Sequence, residues 1–484
     1  MDTPPAHFLE LTETERSALG RAALEWALQY FSDQSHLPIY PTIGPGELSS
    51  RLPSALPIEP QEIDSVMAEF ETIASNGRHN GHPRMFGYVQ SSGSFAGVAA
   101  DFLVSALNQN VTSWRSAPSA TTVEHHVIEW LKEMVGFAPH GSGILLSGGS
   151  AANFAGLAVA LRHSTSEDIN RLGVTALGAR PRVYTSTMTH MSIGKAAVML
   201  GIGRDAIVQI PVDQQYRMDA RALESQLASD VAAGFLPVCV VATAGDVNTG
   251  AIDPLDDIAG ICANGARQVW LHVDGSYGAL AAKTSRVGGT MAALERADSL
   301  SLDPHKWLYA PLDVGCLLVR PPGNVALRGA FSVAADYIDV IADRDMSDFA
   351  YWDHGPELSR RFRALKIWFI VKIHGARAIQ QAIDDNIAAA QHLALAIQQS
   401  SDFELMAPVP LSIVCFRSRA GDDSFNKRLM LEVQRDGDCY LSNATLNGRF
   451  ALRACIVNYR TTTADVEQLL ATIRRVAARM TEGV

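Results

Sequence analysis

The feature that most constrains the fold is a series of short, continuously apolar segments that alternate with helical ones. These apolar segments are residues 144–147, 182–186, 206–212, 237–245 and 269–274. Helical patterns separate several of them, at residues 122–134, 153–162 and 254–263. Strands that are apolar on both faces suit a parallel sheet covered by helices. The repeated order of strand and helix therefore predicts an α/β domain with a mostly parallel sheet and helices on both faces.

The two ends of the chain have a different pattern. Apolar residues recur at helical spacing over 10–31 and 63–74, and prolines interrupt the segment between them. Near residue 376 the pattern changes to a helix, strands at 411–417 and 450–457, and a helix from 463. We therefore divide the chain into a helical arm (1–94), a large α/β domain (95–375) and a small α+β domain (376–484). Because two short helices bury little surface, the arm is predicted to pack elsewhere, on the chain or on a second subunit.

Composition excludes several classes of protein. The net charge of −11 gives no sign of the clustered positive charge that nucleic-acid binding needs. The N-terminus lacks the basic and apolar regions of a secretory signal, and no apolar run reaches the length of a membrane-spanning helix. We therefore expect a cytoplasmic protein that binds neither membranes nor nucleic acid. The six cysteines contain no CxxC pair, so they predict buried free thiols and no metal site.

Three features that could carry chemistry follow or flank the predicted strands. Gly149 and Ser150 lie in a GGS turn that leads directly into a helix, whose free N–H groups favour a phosphate. Asp274 ends a strand, and Lys306 lies 32 residues further on beside His305. Taken singly, each has an ordinary structural explanation: a tight turn, a capping carboxylate and a lysine at a domain edge.

Together these features predict a site for pyridoxal 5'-phosphate. The cofactor needs an anchor for its phosphate, a carboxylate for its pyridinium nitrogen and an amine for its Schiff base. His190 follows the predicted strand at 182–186 and adds an imidazole at the same edge of the sheet. A lone histidine is more often structural, so His190 supports a cofactor site only in combination with the other three features.

The same segments resemble a known family, the group II pyridoxal-dependent decarboxylases, of which the aromatic-L-amino-acid decarboxylases are the best-known members. The resemblance extends from about residue 10 to residue 475. Its motifs are HPRMFGYVQS (82–91), SALNQNVTSW (105–114), LLSGGSAANFAGLA (145–158), HMSIGKA (190–196), NTGAIDPL (248–255), LHVDGSYGA (271–279), DPHKW (303–307) and ELSRRFRALKIW (357–368).

The resemblance implies the fold-type I architecture of aspartate aminotransferase and a homodimer with active sites at the interface, where the N-terminal arm packs on the partner. By position, it implies that Lys306 forms the Schiff base, Asp274 contacts the ring nitrogen and His190 stacks on the ring. The residues that match phosphate-side positions are Gly149, Ser150 and His305. Those that match the substrate pocket are Tyr88 and Ser91.

Relatives protonate the substrate with a tyrosine on a mobile loop. Counting back from ELSRRFR places Tyr351 at that position, within a polar segment at 342–355 that is typical of a lid. One gap in the match would place His354 there instead, and an ordinary packed aromatic is the third reading. Asp246 and Val247 replace a Thr-Thr pair common in relatives, so that contact is not carried over.

These observations predict a decarboxylase that releases carbon dioxide and an amine from an L-amino acid, with an aromatic amino acid as the expected substrate. An acidic substrate, aspartate or glutamate, is the first alternative and would need a cation such as Arg453 or Arg84. The second alternative is an aldehyde synthase or aminotransferase on the same scaffold. A tyrosine at position 351 favours simple decarboxylation over aldehyde synthesis.

Overall fold

The computed structural model describes residues 9–265, 267–333 and 349–482, which form two sheets with helices packed against them. The strands, numbered in chain order, are β1 (Met85–Phe86), β2 (Ser142–Leu146), β3 (Pro181–Ser186), β4 (Ile207–Ile210), β5 (Leu236–Thr243), β6 (Trp270–Asp274), β7 (Ser299–Leu302), β8 (Gly315–Val319), β9 (Phe403–Leu405), β10 (Ile413–Ser418), β11 (Tyr440–Leu446) and β12 (Arg449–Cys455).

The α-helices are likewise numbered in chain order. They are α1 (Glu13–Asp33), α2 (Pro45–Arg51), α3 (Ile63–Ser75), α4 (Phe95–Leu107), α5 (Pro118–Val135), α6 (Gly149–His163), α7 (Ile169–Leu172), α8 (Ser192–Met199), α9 (Ala220–Ala232), α10 (Leu255–Asn264), α11 (Pro304–Trp307), α12 (Gly323–Phe331), α13 (Ala364–His374), α14 (Ala376–Gln398), α15 (Asp423–Asp436) and α16 (Thr463–Glu482).

The large sheet has seven strands in the order β2-β8-β7-β6-β5-β3-β4. Only β8 runs antiparallel to its neighbours, so the prediction of a mostly parallel α/β sheet is confirmed. All eight residues of β5 are buried, as its continuous apolar run predicts. Strand β7, with the sequence SLSL, was not predicted because its serines break the apolar run, although all four residues are buried.

The direction of these strands places the ligand edge of the sheet. Because β8 is antiparallel to both β2 and β7, strand β2 runs in the same direction as β7, β6, β5 and β3. The carboxyl ends of all these strands therefore meet at one edge, which is where open α/β sheets bind ligands. Helix α6 begins directly after β2 and packs against β5 to β8, so its N-terminus opens at this edge.

The smaller sheet has the order β1-β11-β12-β10-β9 and packs against α14 and α15, which in turn contact α16. The predicted strands and helices of the C-terminal region are present, within a few residues of their predicted limits. Strand β1 was not predicted; it comes from residues 85–86 and pairs in parallel with β11, so a segment near the N-terminus extends the C-terminal sheet.

The N-terminal helices are more exposed than the rest of the described chain. Helices α1 and α3 contact each other through Trp26, whose ring centroid lies 4.7 Å from that of Phe70 and whose Nε1 donates to Glu71. None of the residues of α1, α2 and α3 is buried. The six cysteines, in contrast, are free and buried, as predicted. Within the described ranges, every helix is too short or too polar to cross a membrane.

Candidate active site

A cavity of about 470 Å³ opens at the carboxyl ends of β2, β5 and β6. Its volume lies in the range of small-molecule sites. Loops after several parallel strands contribute to it because their carboxyl ends share an edge. The residues that line it are Tyr88, Val89, Ser147, Gly148, Gly149, Ser150, Ala151, Asn153, His190, Thr243, Gly245, Asp246, Val247, Asp274, Ser276, Tyr277, Asp303, His305, Lys306 and Arg453.

One side of the cavity is the N-terminus of α6. Gly148 precedes the helix and supplies no side-chain cap, so the first N–H groups of the helix have no intrahelical partner. Such a helix end attracts a phosphate through its N–H groups and its dipole. Gly149 is needed for close packing, because a Cβ atom at this position would overlap Ser276 and Asp303.

Asp274 lies at the end of β6, where it is 5% exposed and surrounded by donors. Asn153 Nδ2 donates to its Oδ2 at 2.9 Å, and the Ser276 backbone N–H donates to its Oδ1 at 3.1 Å. Burial opposes ionisation, but the charge of Lys306 and the hydrogen bonds from Ser276 and Asn153 outweigh it and lower the pKa of Asp274. The structure therefore presents an ionised carboxylate to the cavity.

Lys306 lies in α11, the short helix that follows β7, and its Nζ is 3.2 Å from Asp303 Oδ2. Asp303 is buried, and its Oδ1 has no hydrogen-bond partner among the described residues. The neighbouring His305 also lines the cavity, and its Nδ1 lies 2.6 Å from the Val314 carbonyl oxygen. The predicted lysine, aspartate and glycine turn are thus brought together in one cavity.

His190 lies in the loop between β3 and α8 and also lines the cavity. Its Nδ1 is 2.9 Å from Ser192 Oγ, at the start of α8. Partial burial lowers the pKa of His190, partly opposed by the charge of Asp274, and this favours the neutral imidazole.

The two residues predicted to contact the substrate are placed differently. Tyr88 lines the cavity, is 40% exposed, and its hydroxyl lies 3.5 Å from that of Tyr440. Ser91 is buried outside the lining, where its hydroxyl donates to the His305 carbonyl oxygen at 2.9 Å. Ser91 therefore supports the segment that carries Lys306 and does not face the cavity.

The structure does not place Tyr351 in the cavity. Its side chain is 0% exposed and packs under Arg360, whose guanidinium carbon is 4.0 Å from the ring centroid. His354, the alternative, is also buried, with its Nδ1 2.7 Å from the Ala350 carbonyl oxygen. Neither side chain lines the cavity. Residues 342–348 of the predicted lid lie outside the described residues.

The two arginines that could bind an acidic substrate are placed differently. Arg453 lines the cavity and is held by Ser442 Oγ, 3.0 Å from its Nε, and by the Val247 carbonyl oxygen, 2.6 Å from its Nη1. Arg84 is paired with Asp438 at 2.7 Å and does not line the cavity. Asp246, which departs from the family pattern, lies in the lining but accepts hydrogen bonds from its own loop, including the backbone N–H of Ala251 at 2.9 Å.

Sequence reasoning missed several residues of the site. Asn153 lies one turn into α6 and points at Asp274, and Thr243 ends β5 with a buried hydroxyl that has no partner in the described chain. Asp303 is the first residue of the DPHKW motif but was assigned no role. The signal available for Asn153 was its spacing of four residues from Gly149, which keeps it near the same face of α6.

The lining fits pyridoxal phosphate. An uncapped helix end faces a phosphate, an ionised Asp274 can hold a protonated ring nitrogen, and Lys306 supplies an amine. The buried and unpartnered Asp303 Oδ1 and Thr243 Oγ1 are polar atoms in the lining that a polar ligand can satisfy.

Comparison with known proteins gives one consistent result. Residues 45–419 match the family model described as the pyridoxal-dependent decarboxylase conserved domain. The chain is 34% identical over 479 residues to an aromatic-L-amino-acid decarboxylase of Bacillus atrophaeus, covering 97% of each chain. It is 28% identical to a histidine decarboxylase of Mus musculus, covering 96% of this chain and 70% of that one. The crystal structure of Oryza sativa TDC with PLP and tryptamine superposes with a TM-score of 0.90 at 27% identity, covering 98% of this chain and 100% of that one.

Proposed function

Because the chain belongs to the pyridoxal-dependent decarboxylase family and is a pyridoxal-phosphate-dependent amino-acid decarboxylase, we propose that its substrate is an aromatic L-amino acid, which it converts to an amine and carbon dioxide. Two observations support an aromatic substrate. The Bacillus atrophaeus relative is named for aromatic amino acids. In addition, the exposed ring of Tyr88 lies in the cavity lining and offers an aromatic packing surface.

The roles of the lining residues follow from their chemistry. Bound pyridoxal phosphate supplies an electron sink for the bond that is broken. We assign the phosphate to the N-terminus of α6, with Gly149 and Ser150. Asp274 would hold a proton at the ring nitrogen, because its own lowered pKa keeps the carboxylate ionised. Lys306 would hold the cofactor through its amine, and the imidazole of His190, which lines the same cavity, would contact the ring.

A direct experiment tests the activity. The purified protein is supplied with cofactor and assayed for carbon dioxide release from tyrosine, phenylalanine, tryptophan, histidine, aspartate and glutamate. We expect release from at least one aromatic amino acid, and a yellow chromophore that borohydride reduces. Lys306→Ala should lose both signals, whereas the control Lys372→Ala, in an exposed lysine of α13, should keep them. Amine production by Lys306→Ala at the wild-type rate would refute the assignment.

The alternative of an acidic substrate is favoured by one observation, the presence of Arg453 in the lining. A guanidinium can bind either the carboxylate common to all amino acids or an acidic side chain. Arg453→Met separates these cases. A loss of activity that is equal for every substrate indicates that Arg453 holds the common carboxylate, and a loss confined to aspartate and glutamate supports the alternative.

The aldehyde synthase or aminotransferase alternative differs in its products. An aldehyde synthase consumes oxygen and releases peroxide alongside carbon dioxide, and an aminotransferase releases no carbon dioxide. Oxygen uptake measured beside carbon dioxide release therefore separates the three reactions. We expect carbon dioxide and amine in equal amounts and no oxygen uptake above that of the protein without substrate.

We also propose that the protein is a homodimer. Apolar side chains are exposed on α1, α3 and α4, and they are Leu24, Leu28, Val66, Phe70, Ile73, Phe102, Leu103 and Leu107. An apolar cavity of about 580 Å³ lies beside α4, between α13 and α14. Exposed apolar surface of this kind is typical of an interface. Residues 1–94 would then pack on the partner, as the family resemblance implies.

Light scattering tests the dimer. We expect twice the 52.1 kDa of one chain. Phe102→Glu should shift the protein toward the monomer, and the matched control Val325→Glu should not, since the two side chains are 66% and 69% exposed but lie on different helices. A wild-type mass of one chain at micromolar concentration would refute the proposal.

A further inference from the structure

A continuous chain of hydrogen bonds runs behind the cavity from Trp270 to His190, and it is buried except at its His190 end. Trp270 Nε1 is 2.8 Å from Ser299 Oγ, which is 2.8 Å from His272 Nδ1. His272 Nε2 is 3.0 Å from Asn153 Oδ1. The members that link these bonds are buried: Ser299 and His272 are 0% exposed, and Asn153 is 1% exposed.

At Asn153 the chain of hydrogen bonds divides into two branches. Its Nδ2 is 2.9 Å from Asp274 Oδ2 and 2.9 Å from Ser192 Oγ. Ser192 Oγ is in turn 2.9 Å from His190 Nδ1. One amide thus contacts both the carboxylate and, through Ser192, the imidazole that line the cavity. The roles of Trp270, Ser299 and His272 were not visible in the sequence, because they come from two neighbouring strands and no motif pairs them with α6.

The proton positions in this chain follow from Asp274. An ionised carboxylate only accepts hydrogen bonds, so the amide nitrogen of Asn153 must face it and the amide oxygen must face His272. His272 Nε2 must then carry a proton. Burial lowers the pKa of His272 to about 4, so it holds a single proton at neutral pH and its Nδ1 is an acceptor. Ser299 therefore donates to Nδ1 and accepts from the indole N–H of Trp270.

The second branch is determined in the same way. The remaining N–H of the Asn153 amide is donated to Ser192 Oγ, so Ser192 donates its hydroxyl proton to His190 Nδ1. The backbone N–H of Ser192 also donates to His190 Nδ1, at 3.3 Å. A neutral His190 then carries its proton on Nε2. Every donor from Trp270 Nε1 to Ser192 Oγ meets an acceptor, which makes the arrangement self-consistent and costly to reverse.

We propose that Asn153 and His272 are positioning residues, which hold Asp274 in its ionised form through this chain of hydrogen bonds and, together with the Ser192 backbone N–H, keep the proton of His190 on Nε2. The inference rests on the proposed function, in which Asp274 and His190 contact the cofactor. Helix α6 is built to accept the His272 ring: Gly156 faces it, and a Cβ atom there would lie 2.6 Å from His272 Cε1.

Two substitutions of His272 separate hydrogen bonding from packing. In His272→Gln the side-chain amide nitrogen replaces Nε2 and still donates to Asn153, whereas His272→Met has a similar volume and no donor. The readout is the dissociation constant of pyridoxal phosphate for the apoprotein, measured by absorbance titration from pH 5.5 to 8.5. We expect His272→Met to bind about tenfold more weakly, the loss typical of a hydrogen bond that supports a charged group. We expect His272→Gln to stay within about threefold of the wild type.

The pH dependence adds a signature that packing alone does not produce. Without the donor from His272 the Asn153 amide is free to rotate, so the pKa of Asp274 should rise. The acid limb of the affinity profile should therefore move to higher pH in His272→Met only. Equal constants and equal profiles for the two variants would overturn the inference, whether both match the wild type or both are impaired.

A second variant covers the case in which His272→Met does not fold. Ser299→Ala removes one oxygen atom and leaves His272 Nδ1 without its donor, and we expect a loss of affinity in the same direction of about threefold. Unchanged affinity in Ser299→Ala would overturn the inference. Failure of the proposed function is distinguishable, because in that case the wild-type protein itself forms no reducible chromophore and releases no carbon dioxide.

Discussion

Replacing Tyr351 with phenylalanine tests the assignment of the site most directly. The hydroxyl of Tyr351 is buried and has no hydrogen-bond partner among the described residues, and burial raises its pKa far above the usual value. A buried polar group without a partner costs about 1–3 kcal/mol. Tyr351→Phe removes the hydroxyl and keeps the ring under Arg360. We therefore expect the free energy of unfolding to stay equal or to rise by about 1 kcal/mol, with the rate of carbon dioxide release unchanged.

Two companion variants calibrate this result. Tyr351→Ala removes the ring itself and should cost about 3–5 kcal/mol, as large-to-small changes of buried aromatic residues do. Tyr184→Phe is the matched control, because its hydroxyl donates to Asp230 Oδ2 at 2.9 Å. Loss of that bond should cost about 1 kcal/mol. Urea denaturation gives the free energy of unfolding for each variant.

The outcome that would refute the reasoning is specific. A fall in kcat of more than about tenfold in Tyr351→Phe, roughly 1.4 kcal/mol in the activation barrier, would show that the hydroxyl takes part in the reaction if cofactor content and stability are unchanged. The protein would then have to expose Tyr351 during turnover, and its burial would describe only one state of the enzyme.

Three further predictions concern the cavity and its support. Gly149→Ala should abolish cofactor binding, measured by absorbance, because the added Cβ overlaps Ser276 and Asp303. Asp274→Asn should bind the cofactor but lose at least about a hundredfold in carbon dioxide release, since two decades correspond to roughly 2.7 kcal/mol of lost charge stabilisation. His272 has a pKa lowered by burial to about 4, so its contribution to stability is present above pH 6.5 and is lost as the pH falls toward 4. Urea midpoints at pH 7 and pH 5 should therefore differ less in His272→Gln than in the wild type.

Much of the fold was accessible from local patterns. The continuous apolar run of β5 predicted a buried central strand, and it is buried throughout. The pattern failed where the environment overrides it: β7 is buried although half of its residues are serine, because Ser299 and Ser301 find buried hydrogen-bond partners. Strand β1, two residues long, was invisible because its partner β11 lies more than 350 residues away in the chain.

The sequence by itself determined the chemistry of the cofactor site. The glycine turn, Asp274 and Lys306 each follow or flank a parallel strand, and the geometry of such a sheet brings strand ends together whatever the intervening sequence. The position of these residues next to strands in the sequence was therefore enough to predict that they share one cavity. Only the tertiary structure decided which neighbours complete it. In the folded chain Tyr351 is buried, Ser91 lies outside the cavity lining, and Asn153 is hydrogen-bonded to His272. These contacts depend on side-chain positions that spacing along the chain does not specify.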